Sequence, residues 1–289
     1  MRYREPVFRP PSEARSYLLH VTYGCSHNEC VYCAMYRTKT FSVRPPEEVL
    51  EDIAMAAKAL PGTRRVFLLD GDALSLSARR LLPVLDALHE AFPELQRVGA
   101  YANARSILTK SDEDLRLLAE RGLGIAYLGL ETGDPIVNER IRKGSTIEEQ
   151  VEAVRRAQAA GIKMSVMALL GMGGRARSLE HAEATGQVLS AMDPRFVSCL
   201  CVTPVPGTPL FDDVEAGRFE MIEPEETLEE LRLLVENLDV SGAVFRSNHA
   251  SNYLPLGGRL PADKERLLAA IDAAQRGEVP LRPEALRGL

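Results

Sequence analysis

A chain of 289 residues, 45% of them hydrophobic, can bury one large core or two small ones. Its net charge of -6 argues against a broad basic face for nonspecific nucleic-acid binding and leaves only a local basic groove open. The opening residues MRYREPVFRPPSEAR lack an apolar leader core, and no run of about 18 apolar residues occurs, so no membrane span is expected and a cytoplasmic location is.

Short apolar runs alternate with amphipathic helical patterns along the chain. The strand-like runs are SYLLHVT (16–22), RVFLLD (65–70), RVGAYA (97–102), GIAYLGL (124–130), IKMSVMALL (162–170) and RFVSCLCVT (195–203). Helices are expected from about Glu47, with Val49, Ile53, Ala57 and Leu60 on one face, and near 78–91, 112–121, 147–160, 179–192 and 225–239. Thr146 and Glu149 form a capping box at the start of the fourth. Leu228, Leu231, Leu234 and Leu238 mark the inner face of the sixth. Six cycles of roughly 37 residues have the length of βα units, and such alternation means a parallel sheet covered by helices. A full eightfold barrel takes ~250 residues, so the economical reading is α/β, an incomplete parallel (β/α)6 TIM-like barrel. A doubly wound sheet is the alternative, but no G-x-G-x-x-G follows the first strand. The expected organisation is an N-terminal extension (1–15), the partial barrel (16–240) and a short C-terminal extension (241–289) that closes it. That extension carries a short strand at 243–246, a polar loop, and a helix from about Pro261 to Gln275.

Three of the five cysteines lie in TYGCSHNECVYCAMYR, directly after the first strand. An odd count with one tight cluster argues for metal or redox chemistry over a disulfide framework. In parallel α/β folds ligands gather at the carboxyl ends of strands, which puts Cys25, Cys30 and Cys33 on the functional rim. Three thiolates in one loop suit an iron–sulfur cluster with one open iron, or a structural zinc with His27 as fourth ligand.

With these residues in view, the chain resembles the radical S-adenosylmethionine (SAM) enzymes, in particular the branch of methylthiotransferases and oxygen-independent coproporphyrinogen oxidases. The family motif is C-x3-C-x2-C with an aromatic residue before the last cysteine, a place held here by Tyr32. This chain departs by one residue, as C-x4-C-x2-C. After the second strand, LLDGDAL stands where the family has a Gly-Gly-Glu-like turn for the SAM amino group; Gly71 and Asp72 would serve, with Asp70 in place of the first glycine. LGLETGDP resembles the family's G-x-E-S-G, so Glu131 would face the ribose or methionine portion of SAM. LLGMGG, with Gly171 and Gly173, looks like the turn that passes the adenine, and TPVPGTPLFDDVEAGRFE resembles the proline-rich segment after the sixth strand. Asn103 and Arg105 lie past the third strand, where Arg105 is a fork for the methionine carboxylate. The resemblance spans roughly residues 16 to 222. It implies a 4Fe–4S cluster on three cysteines, SAM, reductive cleavage to a 5′-deoxyadenosyl radical, oxygen sensitivity, and an electron donor such as flavodoxin or ferredoxin.

The remaining features admit two readings each. Cys199 and Cys201 alternate onto one face of the sixth strand, as core residues or, for Cys201, as a group pointing into the reaction cavity. FRSNHASNYLP (245–255) gathers Arg246, Asn248, His249, Ser251, Asn252 and Tyr253, either for substrate recognition or as a loop satisfying its own backbone. His249 and Tyr253 join Cys201 as candidates for catalysis. Met164, Met167 and Met172 read as core filling, and EPEETLEE (223–230) as a solvated helix start. Only two cysteines remain outside the cluster, so no auxiliary cluster is expected. Without a basic tail or cobalamin-binding segment in the pattern, a small-molecule substrate is the expectation. The other function classes left open are a zinc-stabilised barrel with hydrolase or lyase chemistry, and a noncatalytic relative that binds cluster and SAM.

Overall fold

The computed structural model describes residues 1–287. In chain order the elements are β1 (Tyr17–His20), β2 (Thr22–Tyr23), β3 (Ser42–Val43), α1 (Pro46–Ala59), β4 (Arg65–Leu69), α2 (Ala78–Ala91), β5 (Arg97–Tyr101), α3 (Ala104–Leu108), α4 (Asp112–Glu120), β6 (Leu123–Glu131), α5 (Pro135–Arg140), α6 (Ile147–Ala159), β7 (Lys163–Leu170), α7 (Ser178–Met192), β8 (Phe196–Cys201), α8 (Pro209–Glu215), α9 (Pro224–Glu236), β9 (Val244–Ser247), β10 (Leu256–Arg259) and α10 (Lys264–Gln275). Eight strands form one sheet in the order β1-β4-β5-β6-β7-β8-β9-β10, while β2 and β3 make a separate two-stranded ribbon. This is the α/β class expected from the alternation, and the six long apolar runs are β1, β4, β5, β6, β7 and β8. Among the described residues no helix is long and apolar enough to cross a membrane.

The chain divides into two compact units, the first Met1–Asn28, Met35–Leu128 and Glu152–Met164, the second Glu29–Ala34, Gly129–Val151 and the residues from Ser165 onward. In the first unit β1, β4 and β5 pair in parallel, with Leu19 opposite Leu68 and Phe67 opposite Gly99, and β6 continues the parallel order at Ala100–Ala126. Val66, Phe67, Leu68 and Leu69 are all fully buried, as a strand covered on both faces requires. Helix α1 buries Val49, Asp52, Ile53 and Ala56, not the expected Ala57 and Leu60. Its inner face is turned toward Asp52, whose carboxylate meets Arg44 at 2.9 Å and Arg2 at 3.1 Å.

In the second unit β7, β8 and β9 pair in parallel, with Ala168 opposite Cys199. Strand β10 runs antiparallel to β9, Leu256 opposite Ser247. The sequence pattern marks β9 but not β10, because LGGR has too few side chains to show alternation. Leu228, Leu231, Leu234 and Leu238 are buried as expected. The acidic start of α9 is not wholly solvated: Glu230 is fully buried. Met164 and Met172 fill the interior, while Met167 is half-buried.

Candidate active site

In the first unit the site is built at the ends of β2, β4 and β5. Cys25 follows Gly24, which takes the left-handed backbone (φ 77°) that glycine adopts without strain. The Gly71 amide donates to the Gly24 carbonyl at 3.0 Å, so the turn after β4 lies against the start of the cysteine segment. A β-carbon on Gly71 would stand 2.7 Å from the Cys25 β-carbon and 2.8 Å from the Tyr36 ring. That is why the position has no side chain. Asp72 is fully buried. Its Oδ2 accepts from Ser26 Oγ at 2.5 Å, Ser106 Oγ at 2.5 Å and Asn103 Nδ2 at 2.7 Å. Its Oδ1 is buried with no protein donor. Burial pushes the Asp72 carboxyl above the ordinary range, against the hydrogen bonds and the charge of Lys110. Asn103 caps α3 by accepting from the Ser106 amide at 2.8 Å. Arg105, on the first turn of α3, is exposed, and it is Ser106 that turns in to Asp72.

In the second unit, Cys30 and Cys33 lie on one turn, closed by the Cys33 amide on the Cys30 carbonyl at 3.2 Å. Val31 pins that turn by donating to the Ile141 carbonyl and accepting from the Leu210 amide, each at 3.1 Å. Tyr32 donates its hydroxyl to Glu131 Oε1 at 2.8 Å, and Lys143 Nζ reaches the same oxygen at 2.9 Å. Glu131 Oε2 is buried and has no protein donor. Gly129 makes room for this carboxylate, since a β-carbon there would lie 1.9 Å from Oε1. Glu131 ends β6 at φ 67°, a conformation that costs a non-glycine residue on the order of 1–3 kcal/mol. Burial raises the Cys30 thiol, with Lys143 opposing. Burial also works against the Lys143 charge, but Glu131 and Cys30 outweigh it and hold the ammonium above its ordinary value. Lys143 and Gly129 are the residues that the sequence reading missed. In RIRKGST a lysine reads as solvated, and only the fold turns it toward Glu131.

The glycine-rich turn after β7 holds Gly171 at φ 83° and Gly174 at φ 62°. Arg140 donates to the Met172 and Gly173 carbonyls at 2.7 and 3.1 Å. Glu230 accepts from the Gly171 amide and from Ser178 Oγ, both at 2.6 Å, with His181 Nε2 at 3.3 Å. A buried carboxylate therefore fastens the turn from beneath. Cys199 and Cys201 are both buried, on one face of β8 as alternation requires. Burial pushes the Cys201 thiol up to about 12. Asn252 is fully committed: Oδ1 accepts from the Cys201 amide at 2.9 Å, and Nδ2 donates to the Cys199 carbonyl and Ser247 Oγ at 2.7 Å each. Ser251 Oγ lies 2.9 Å from His249 Nδ1. Tyr253 reaches Glu284 at 3.1 Å, and Arg287 stacks on its ring with 4.0 Å to the centroid. Arg246 and Asn248 are exposed.

The donor set suits an iron–sulfur cluster with SAM. Two strand-end carboxylates each keep one buried oxygen without a donor, which fits an ammonium or ribose hydroxyls. Among the described residues no three His, Cys, Asp or Glu side chains gather where a single metal ion would sit.

Comparison with known proteins agrees. The family profile of the radical SAM superfamily matches residues 19–184, more than half of the chain and including all three clustered cysteines. Biotin synthase of Thermus thermophilus is 30% identical over 266 residues, covering 84% of this chain and 72% of that protein. An uncharacterized methyltransferase of Pyrococcus horikoshii is 24% identical over 191 residues, 65% of this chain; the chain spans only 40% of that relative's length. The structure of coproporphyrinogen III oxidase from Escherichia coli, a radical SAM enzyme, superposes with a TM-score of 0.57 at 13% identity, over 76% of this chain and 51% of that one, and shows the shared fold. Superfamily members use a 4Fe–4S cluster and SAM. The chain belongs to the radical SAM superfamily of enzymes.

Proposed function

We propose that Cys25, Cys30 and Cys33 hold a 4Fe–4S cluster at which SAM is cleaved, and that the reaction acts on a small-molecule substrate. The observation that carries this reading is Glu131. One oxygen is fixed to the cysteine turn through Tyr32, while the other is buried and still bare. When bound and reduced, the cluster would supply one electron to the SAM sulfonium, whose carbon–sulfur bond would break to give methionine and a 5′-deoxyadenosyl radical.

The chain's own part is binding, orientation and exclusion of water. Glu131 Oε2 accepts from the ribose or methionine portion of SAM, and Lys143 holds Oε1 by donating to it at 2.9 Å. Asp72 Oδ1 accepts from the SAM ammonium, with Gly71 allowing close approach and Asn103 fixing the carboxylate. Arg105 takes the methionine carboxylate. The Gly171 and Gly173 backbone passes the adenine. Cys201, at the end of β8, contacts substrate, and Arg246, Asn248, His249 and Tyr253 recognise it. Ser251 and Asn252 set the position of their loop. The C-terminal extension from residue 241 closes the partial barrel over the site. A flavodoxin or ferredoxin is the electron source. The test is an anoxic assay with dithionite: 5′-deoxyadenosine formed from SAM by the reconstituted protein supports the reading, and intact SAM beside a fully loaded cluster overturns the cleavage step.

A further inference from the structure

One carboxylate closes both ends of the cysteine segment. Asp70 Oδ2 accepts from the Gly24 amide at 2.7 Å, immediately before Cys25. Lys39 Nζ, on the far side of Cys33 in the chain, donates to both Asp70 oxygens at 3.0 Å. His20 Nε2 lies 3.3 Å from Oδ1. Asp70, Lys39 and His20 are 0%, 4% and 1% exposed. Between the tied ends, Asn28 Nδ2 donates to the Tyr36 carbonyl at 3.0 Å. Asp70 itself sits at φ 65°, where glycine would be unstrained and an aspartate costs on the order of 1–3 kcal/mol. In the motif that this turn resembles, the place is held by glycine. A side chain kept at a position that favours none has a task of its own.

A buried ion pair contributes little to net stability compared with an apolar replacement, and its best-attested use is to fix register. Tying the ends of a segment before its ligand arrives lowers the ordering cost of binding. That cost is larger for the C-x4-C-x2-C spacing, which carries one residue more than the family motif. Resting on the cluster reading above, we infer that Asp70 and Lys39 are positioning residues for the cluster, a clamp that sets the cysteine segment in place before iron binds.

Two measurements test this on the chain. In the apoprotein, amide hydrogen exchange at Gly24 is expected to be slowed at least tenfold relative to an unstructured chain; exchange at the unstructured rate overturns the clamp, whatever the metal content. Next, the double variant Asp70→Gly with Lys39→Met removes both charges and leaves neither unpaired. It is expected to melt within a few degrees of the wild type as apoprotein, yet lose iron to a chelator at least tenfold faster after reconstitution. Iron retention equal to wild type, with an unchanged electron paramagnetic resonance line shape, overturns the inference. If the wild type itself takes up no iron, the cluster reading fails instead, and the Gly24 exchange result still decides whether the segment is clamped.

Discussion

Tyr32 and Glu131 are joined by a hydrogen bond of 2.8 Å that ties a strand-end carboxylate to the turn carrying Cys30 and Cys33. Lys143 donates to the same carboxylate oxygen at 2.9 Å and lies 3.4 Å from the Tyr32 hydroxyl. Hydrogen bonds to charged groups contribute about 1.5–3 kcal/mol, so Glu131→Gln is expected to weaken SAM binding to the reconstituted protein by roughly tenfold or more, with iron content near normal. Equilibrium binding of SAM checks this. Unchanged affinity would remove Glu131 from the SAM site.

Gly71→Ala places a β-carbon 2.7 Å from the Cys25 β-carbon and 2.8 Å from the Tyr36 ring. Overpacking of this kind costs about 1–3 kcal/mol. The variant should therefore melt lower and take up less iron, because Cys25 is the atom group displaced. Full iron uptake at wild-type affinity would show that the segment yields freely and that Gly71 is dispensable for it.

Asp72 gives a pH dependence with a definite sign. Its folded-state carboxyl is raised above the unfolded value, chiefly by burial. The folded form therefore binds the proton more tightly, and this contribution to stability is present at low pH and lost as pH rises through the raised value. Asp72→Asn should raise the melting temperature at pH 7–8, with the gain shrinking on acidification, while SAM binding weakens. Melting curves across pH read the first effect; a gain that grew toward low pH would contradict the assigned direction.

Glu230 is a structural carboxylate beneath the glycine-rich turn. Removing one partner of a buried, hydrogen-bonded charge group costs about 3–5 kcal/mol, and Glu230→Ala leaves the Gly171 amide without its acceptor. Chemical denaturation should show a loss of that size. A loss under about 1 kcal/mol, the scale of a surface change, would mean the turn has other support.

The strands were legible because each is a continuous apolar run, and the site's outline was legible because cysteines, glycines and acids recur just past those runs. Lys143, Glu230 and Asp52 were not. Each is a charged residue that by pattern belongs to a solvated face, and its burial depends on partners distant in sequence: Glu131 for Lys143, the Gly171 amide for Glu230, Arg2 for Asp52. The loop containing Asn252 was ambiguous for the same reason. Its amide spans Cys199 and Cys201, a backbone match that composition cannot display. Strand β10 escaped because its two glycines leave no alternation to read.

The central claim is that three thiolates leave one iron open to SAM. The direct measurement is electron paramagnetic resonance of the anoxically reconstituted, dithionite-reduced protein, recorded with and without SAM beside iron and zinc analysis. About four irons per chain are expected, with a reduced-cluster signal that changes when SAM is added. One zinc with no iron, or a cluster signal indifferent to saturating SAM, would contradict it.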